Sequence, residues 1–190
     1  MKPDEIERRF RVADQMVTMY SVLRDQYSAR ATKLTLGIMA SSVILCACTF
    51  LPDDALIMVG LSSLGTKVVL GVFSSIVLFL SIAELKVDWK ERSGLYGEAA
   101  ENVAGLKAKY RDVRNSCLQP SPEVIHELAV QYDSIMGSLP GVPDLRFAKL
   151  KAYHLKKLKL SQMIDSKPGC PLWILRLQLM WEGSRGKKKD

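Results

Sequence analysis

The stretch LTLGIMASSVILCACTFLPDDALIMVG, residues 34–60, decides the fold of this 190-residue chain. Its first eighteen residues, Leu34 to Leu51, carry no charge, although a quarter of the whole chain is Asp, Glu, Lys or Arg. A helix rises about 1.5 Å per residue and a bilayer core is about 30 Å thick, so a spanning helix needs roughly 17 to 25 apolar residues. Leu34–Leu51 meets the lower bound. Pro52 then interrupts the helix, and Asp53 and Asp54 place two carboxylates where they are cheap at a water-facing turn and expensive in hydrocarbon. The run and its stop read as a membrane span and its far end.

A second run, Val68 to Ala83, is sixteen residues without a charge. It can borrow Gly65, Thr66 and the stem of Lys67, whose ammonium can reach the interface. Between the runs, Ala55–Leu64 is apolar but interrupted by Gly and Ser; it either extends the second helix or lies along the outer interface. The net charge of +7 is unevenly placed: residues 34–83 hold only Asp53, Asp54 and Lys67, whereas residues 1–33 hold seven basic and five acidic side chains. Arg24, Arg30 and Lys33 precede the first span, and Lys86, Lys90 and Arg92 follow the second. The positive-inside tendency then puts both termini in the cytoplasm. A soluble hairpin buried in a larger core is the alternative, but neither run has a polar face, and a chain of this length has little else to wrap around two such helices. The charged, patterned first thirty-three residues do not read as a cleaved leader.

The flanking arms keep helical spacing. Ile6, Phe10, Ala13, Val17, Tyr20, Tyr27 and Ala31 form a stripe with Arg8, Arg9, Arg11, Asp14, Gln15, Arg24 and Asp25 off it, which predicts an amphipathic helix over about 4–33 continuous with the first span at about 34–51. Leu85, Trp89, Tyr96, Ala99, Val103, Leu106, Tyr110 and Val113 repeat the pattern, predicting a cytoplasmic helix over about 85–114 after a second span at about 66–84. The two stripes suit antiparallel packing. Gly94, Gly97 and Gly105 either weaken the second arm or admit a close neighbour.

Residues 115–190 form a separate cytoplasmic extension. Ser121-Pro122-Glu123 has the cap, first-position proline and early acid of a helix start, and Gly137 to Pro143 ends that helix. A further basic amphipathic helix is predicted from Asp144 to about Leu160, with Phe147, Leu150, His154 and Leu158 on one face. Lys149, Lys156, Lys157 and Lys159 are candidate contacts for an anion or for lipid. In the tail, LRLQL alternates like a strand, while Trp173, Trp181 and Lys187–Lys189 suit an interfacial helix over 171–189; both readings stand.

Catalytic chemistry is not evident. GLSSLG at 60–65 is not a nucleophile elbow, no phosphate-binding loop is present, and His126 and His154 lack metal-ligand spacing, so neither a catalytic residue nor a metal site is expected. Cys46, Cys48, Cys117 and Cys170 lack C-x-x-C spacing and read as reduced thiols. Two patterns in the spans carry more information. Thr35, Ser42 and Thr49 recur every seven residues, as do Lys67, Ser74 and Ser81, so each set lies on one stripe and is a candidate water-facing lining of a pore. Ser and Thr in spans also bond their own backbone, and Gly37 with Ser41 and Gly71 with Ser75 are small-xxx-small pairs suited to helix packing.

The arrangement of RRFRVADQMVTMYSVLRDQYSARATK, two closely spaced spans and ELKVDWKERSGLYGEAAENVAGLKAKY resembles the SLATT family over about residues 8–114. These are two-transmembrane effectors found beside SMODS nucleotidyltransferases, SLOG sensors or reverse transcriptases in bacterial antiphage systems such as CBASS. The resemblance is architectural, since the family has no catalytic motif to match. It implies an all-α membrane protein of the bacterial inner membrane, a non-enzymatic homo-oligomer that stays harmless until a cytoplasmic signal makes it breach the barrier. No cofactor is implied; a cyclic oligonucleotide or a sensor protein would supply the signal. The basic region suits such a nucleotide and lipid headgroups alike. A non-conducting membrane scaffold is the alternative, and a soluble nucleic-acid binder is disfavoured by the apolar centre.

Overall fold

The computed structural model describes residues 3–50, 63–115 and 121–186. Among them are six helices and no strand: α1 (Pro3–Thr49), α2 (Ser63–Val87), α3 (Trp89–Asn115), α4 (Pro122–Ser138), α5 (Asp144–Ser166) and α6 (Leu172–Gly186). The chain is all-α, as its periodicity predicts. The Pro52-Asp53-Asp54 turn, most of the Ala55–Leu64 connection, Cys117 and the lysines 187–189 lie outside the described residues.

α1 is a single helix of 47 residues, so the charged arm and the first apolar run belong to one continuous helix. Its start is well chosen: Pro3 sits where an N–H has no partner to lose, and Asp4 and Glu5 face the positive end of the helix dipole. After α2 the backbone departs from the sequence reading. The expected passage from span to arm at residue 84 or 85 leaves no break there; the break comes at Asp88, whose φ of 47° ends α2 and starts α3. The Asp88 N–H donates to the Glu84 carbonyl at 3.4 Å, and its carbonyl accepts from Arg92 at 3.2 Å, so it serves both helices at once. Aspartate tolerates the left-handed region better than most residues, which is why no glycine or proline marks the spot.

α4 starts where Ser121-Pro122-Glu123 predicts, with the Ser121 hydroxyl accepting from the Val124 N–H at 3.4 Å. α5 continues past Leu160 to Ser166, because SQMIDS holds no breaker before Pro168. The Lys167 N–H closes the helix on the Met163 and Ile164 carbonyls, and Gly169, at φ 102°, turns the chain in a conformation that side-chain-bearing residues rarely adopt. The tail then forms a helix, α6, which packs on α5.

The helices group into two compact units, residues Met1–Val22 with Gly97–Asp190, and residues Leu23–Tyr96. In the first, α1 and α3 run antiparallel: Glu7 pairs with Arg114 at 3.5 Å and Asp14 with Lys107 at 2.6 Å, seven residues up one helix for seven down the other. The core beneath these pairs is Leu106, Tyr110 and Leu128, covered by Ile6, Phe10, Val113, Tyr132, Ile135 and Met136. Arg114 lies over the Phe10 ring at 4.4 Å and Arg9 over Tyr132 at 4.6 Å, so the cations at the edge also cover apolar surface. Burial pushes the Tyr110 phenol above the usual tyrosine range, against the pull of the Arg9 guanidinium. At the outer edge, a hydrogen bond from Arg11 holds Glu7 below the usual carboxylate range, with Arg114 adding to it.

α5 is tied to this core by a polar contact. His154 is 5% exposed, its Nδ1 is 3.1 Å from the Thr18 hydroxyl, and its Nε2 is 3.8 Å from Asp14, which also binds Lys107. The Tyr20 hydroxyl adds a bond to the Pro140 carbonyl at 2.9 Å. His154 is thus a packing residue, as its lone position on an apolar face suggests.

Candidate membrane hairpin and its polar collar

The second unit holds the apolar half of α1, all of α2 and the start of α3. Both helices are long and apolar enough to cross a membrane, and the most apolar window of each is left essentially uncovered by the rest of the chain. Among the described residues of 34–50 and 63–87, only Val77 is buried. Leu36, Met39, Val43, Ile44, Val68, Val72, Leu78 and Ile82 all face outward, and Phe79 is 70% exposed. Soluble monomers rarely leave apolar patches of more than a few hundred Å² in water. A core helix of a soluble protein would be wrapped by its own chain, and these helices are not.

A polar collar closes one end of the apolar pair. Tyr27 on α1 stacks on Tyr96 of α3, with centroids 5.5 Å apart and planes 18° apart. The Ser93 hydroxyl donates to the Arg24 carbonyl at 3.1 Å, and the Arg30 guanidinium lies 5.9 Å from the Tyr27 ring. Further along, the Thr35 hydroxyl is shared between the Ala31 carbonyl, at 3.0 Å, and the Glu84 carboxylate. Ser28, Thr32, Thr35, Lys90 and Ser93 line an open cavity of about 320 Å³ at this level. Aromatic rings, basic side chains and hydroxyls in such a band are what a membrane interface favours. Glu91 belongs to the same end; its hydrogen bond with Asp88 raises its carboxyl above the ordinary range.

The candidate pore residues occupy varied positions. Thr35, Ser42, Thr49, Lys67 and Ser74 are exposed, and Ser81 is half-buried. The hydroxyls of Ser42, Thr49 and Ser81 each donate to the carbonyl four residues back, those of Ile38, Leu45 and Val77, at 2.9 Å. Ser75 does the same to Gly71. A hydroxyl so bonded can face lipid at little cost and can equally face water, because its oxygen still accepts. Across the pair, Thr35 meets Glu84, a partner no motif in the sequence marked; a carboxylate within reach of an apolar run was the available signal.

Gly37 and Gly71 make no close approach within the chain, since a Cβ at either would meet nothing within 4 Å. The same holds for Gly94 and Gly105, so none of these four admits a neighbouring helix from its own chain. Of the candidate anion contacts, Lys149, Lys156, Lys157 and Lys159 are all exposed on α5, but only Lys156 and Lys157 border a concave surface, which they share with Arg176 of α6. Among the described residues no group of His, Cys, Asp and Glu has the geometry of a metal site.

No protein-family model, curated protein or solved structure matches the chain.

Proposed function

We propose that this chain is an oligomeric effector of the bacterial inner membrane, which crosses the bilayer twice through α1 and α2 and breaches it on a cytoplasmic signal, as in antiphage abortive infection. One observation carries the membrane part: two helices long enough to span a bilayer leave most of their large apolar side chains exposed. Basic residues flank the collar end, with Arg24, Arg30 and Lys33 before the first span and Lys86, Lys90 and Arg92 after the second, which favours cytoplasmic termini. Assembly is favoured by the small-residue pairs Gly37/Ser41 and Gly71/Ser75, whose glycines have open space beside them in a single copy. The defence role rests on the resemblance to SLATT effectors. The trigger, a second-messenger nucleotide or a sensor protein, belongs with the first unit, where the arms meet the C-terminal helices.

If Ser42 and Ser74 line the conducting path, Ser42→Leu with Ser74→Leu reduces dye leakage from expressing cells to the level of cells without the protein. Leakage equal to that of the unsubstituted chain removes both residues from any pore. A second reading, a membrane-anchored scaffold that never conducts, is favoured by the backbone-bonded hydroxyls of Ser42, Thr49 and Ser81, which need no water. Overexpression separates the two: collapse of the membrane potential selects the effector, and an intact potential selects the scaffold.

A further inference from the structure

We propose that the groove between α5 and α6 holds the phosphate of an anionic phospholipid while the Trp173–Leu177–Trp181 edge of α6 lies in the leaflet; this deepens the membrane reading above and rests on it. α6 has two apolar sides. Leu175 is fully buried and Leu179 half-buried, which accounts for its attachment to the rest of the first unit. Trp173, Leu177 and Trp181 point the other way and are all more than half exposed. Residues four apart drift by about 40° on a helix, so the three share an arc of roughly 80°. A helix that only completes a soluble bundle has no use for a second apolar face with two indoles. Tryptophan at such an edge is characteristic of helices that lie in the membrane interface.

The charge next to this edge has the matching sign. Tyr153, Lys156, Lys157 and Leu160 of α5, with Arg176 and Leu179 of α6, surround an open cavity of about 430 Å³. Its rim is cationic and its walls are apolar, and among the described residues none of the three cations is paired with a carboxylate. A phospholipid offers a phosphate for Lys156, Lys157 and Arg176 together with an acyl chain for Leu160 and Leu179. A soluble nucleotide could meet the rim, but it would leave the tryptophan edge in water. Position also separates these cations from the other lysines of α5: Lys149, Lys151 and Lys159 are exposed but do not border the cavity. The turn at Gly169 makes the arrangement possible, because it folds α6 back on α5 and brings Arg176 opposite Lys156 and Lys157.

The test uses the full chain, with Trp89→Phe to leave Trp173 and Trp181 as the only indoles, reconstituted in vesicles of phosphatidylcholine alone or with 30% phosphatidylglycerol. Bromine-labelled acyl chains quench indoles that enter the leaflet. Quenching is expected to be at least twofold greater in the anionic vesicles, and Lys156→Gln with Lys157→Gln and Arg176→Gln is expected to return it to the neutral-vesicle level. Each cation near an anionic surface adds roughly fivefold to the local association, so three neutralisations exceed the window needed. Lys149→Gln with Lys159→Gln should leave the quenching unchanged; an equal loss there means general basicity and overturns the groove assignment. Unchanged quenching in the triple variant, while it still floats with the vesicles, overturns this inference alone. Failure of the unsubstituted chain to float overturns the membrane reading as well. Release of the quenching by a cyclic dinucleotide would make the groove a nucleotide site and also overturn the proposal.

Discussion

Val43→Arg is expected to move the two termini to opposite sides of the membrane, whereas Ile76→Arg leaves them on the same side. Val43 and Ile76 sit near the middles of the two apolar runs and both are exposed. Near a helix centre, Leu, Ile, Phe and Val each favour insertion by ~0.3–0.6 kcal/mol and Arg opposes it by ~2.5–3.5 kcal/mol. Leu34–Leu51 has eight such residues; the seven left without Val43 supply about 2–4 kcal/mol, which the arginine cancels. Val68–Ala83 has eleven; the ten left without Ile76 supply about 3–6 kcal/mol and keep a surplus. The first span is therefore the weak one. Reporter fusions at each terminus, one active only outside the cell and one fluorescent only inside, read the outcome. Same-side termini in Val43→Arg would mean that the first run is held in the bilayer by something other than its own apolarity.

Leu106→Ala is expected to lower the stability of the first unit by ~2–5 kcal/mol, the usual cost of a cavity at a buried leucine. Leu106 is 1% exposed and belongs to the cluster with Tyr110 and Leu128 that Ile6, Phe10 and Tyr132 cover. For a chain of this size the thermal midpoint should fall by roughly 5–20 °C, read by circular dichroism in detergent. Leu145→Ala provides the contrast. That side chain is 96% exposed at the start of α5, so its loss should change stability by no more than about 0.5 kcal/mol. Equal shifts at both sites would contradict the packing described for the arms.

Much of this architecture was legible in the sequence because its signals are local. A 3.6-residue stripe with no breaker between Pro3 and Pro52 reads directly as one long helix, and the Ser121-Pro122-Glu123 start is a chemical signature of a helix end. The same stripes identified Ala13, Tyr20 and Tyr27 on one arm and Tyr96, Val103, Leu106 and Tyr110 on the other, all of which are buried. Leu85, placed on the second stripe, is exposed instead, because the chain breaks at Asp88 and the two sides of the break no longer share a phase. That break was hidden, since an aspartate can take a left-handed conformation without the glycine that usually announces one. LRLQL was ambiguous because five residues alternate in a strand and also fit a helix with two apolar sides; the buried Leu175 and the exposed Trp173 and Leu177 show the latter.

The site was less legible because its contacts are distant in sequence. Nothing near Thr35 announces Glu84, and nothing near Thr18 announces His154, 136 residues away. The heptad spacing of Thr35, Ser42 and Thr49 correctly describes a stripe on α1, but a stripe does not specify what covers it. Likewise, the four candidate lysines among the five of α5 look equivalent in the sequence; only the return of the chain at Gly169 singles out Lys156 and Lys157 by setting Arg176 across from them.

The account depends on one solvation argument, that α1 and α2 find their lowest free energy among acyl chains, and fractionation tests it most directly. Membranes from expressing cells are washed with alkaline carbonate, which strips peripheral proteins, and then treated with detergent. The account predicts that the chain stays in the pellet through the carbonate wash and enters solution only with detergent. A monomeric, monodisperse chain in the supernatant of a detergent-free lysate would contradict it.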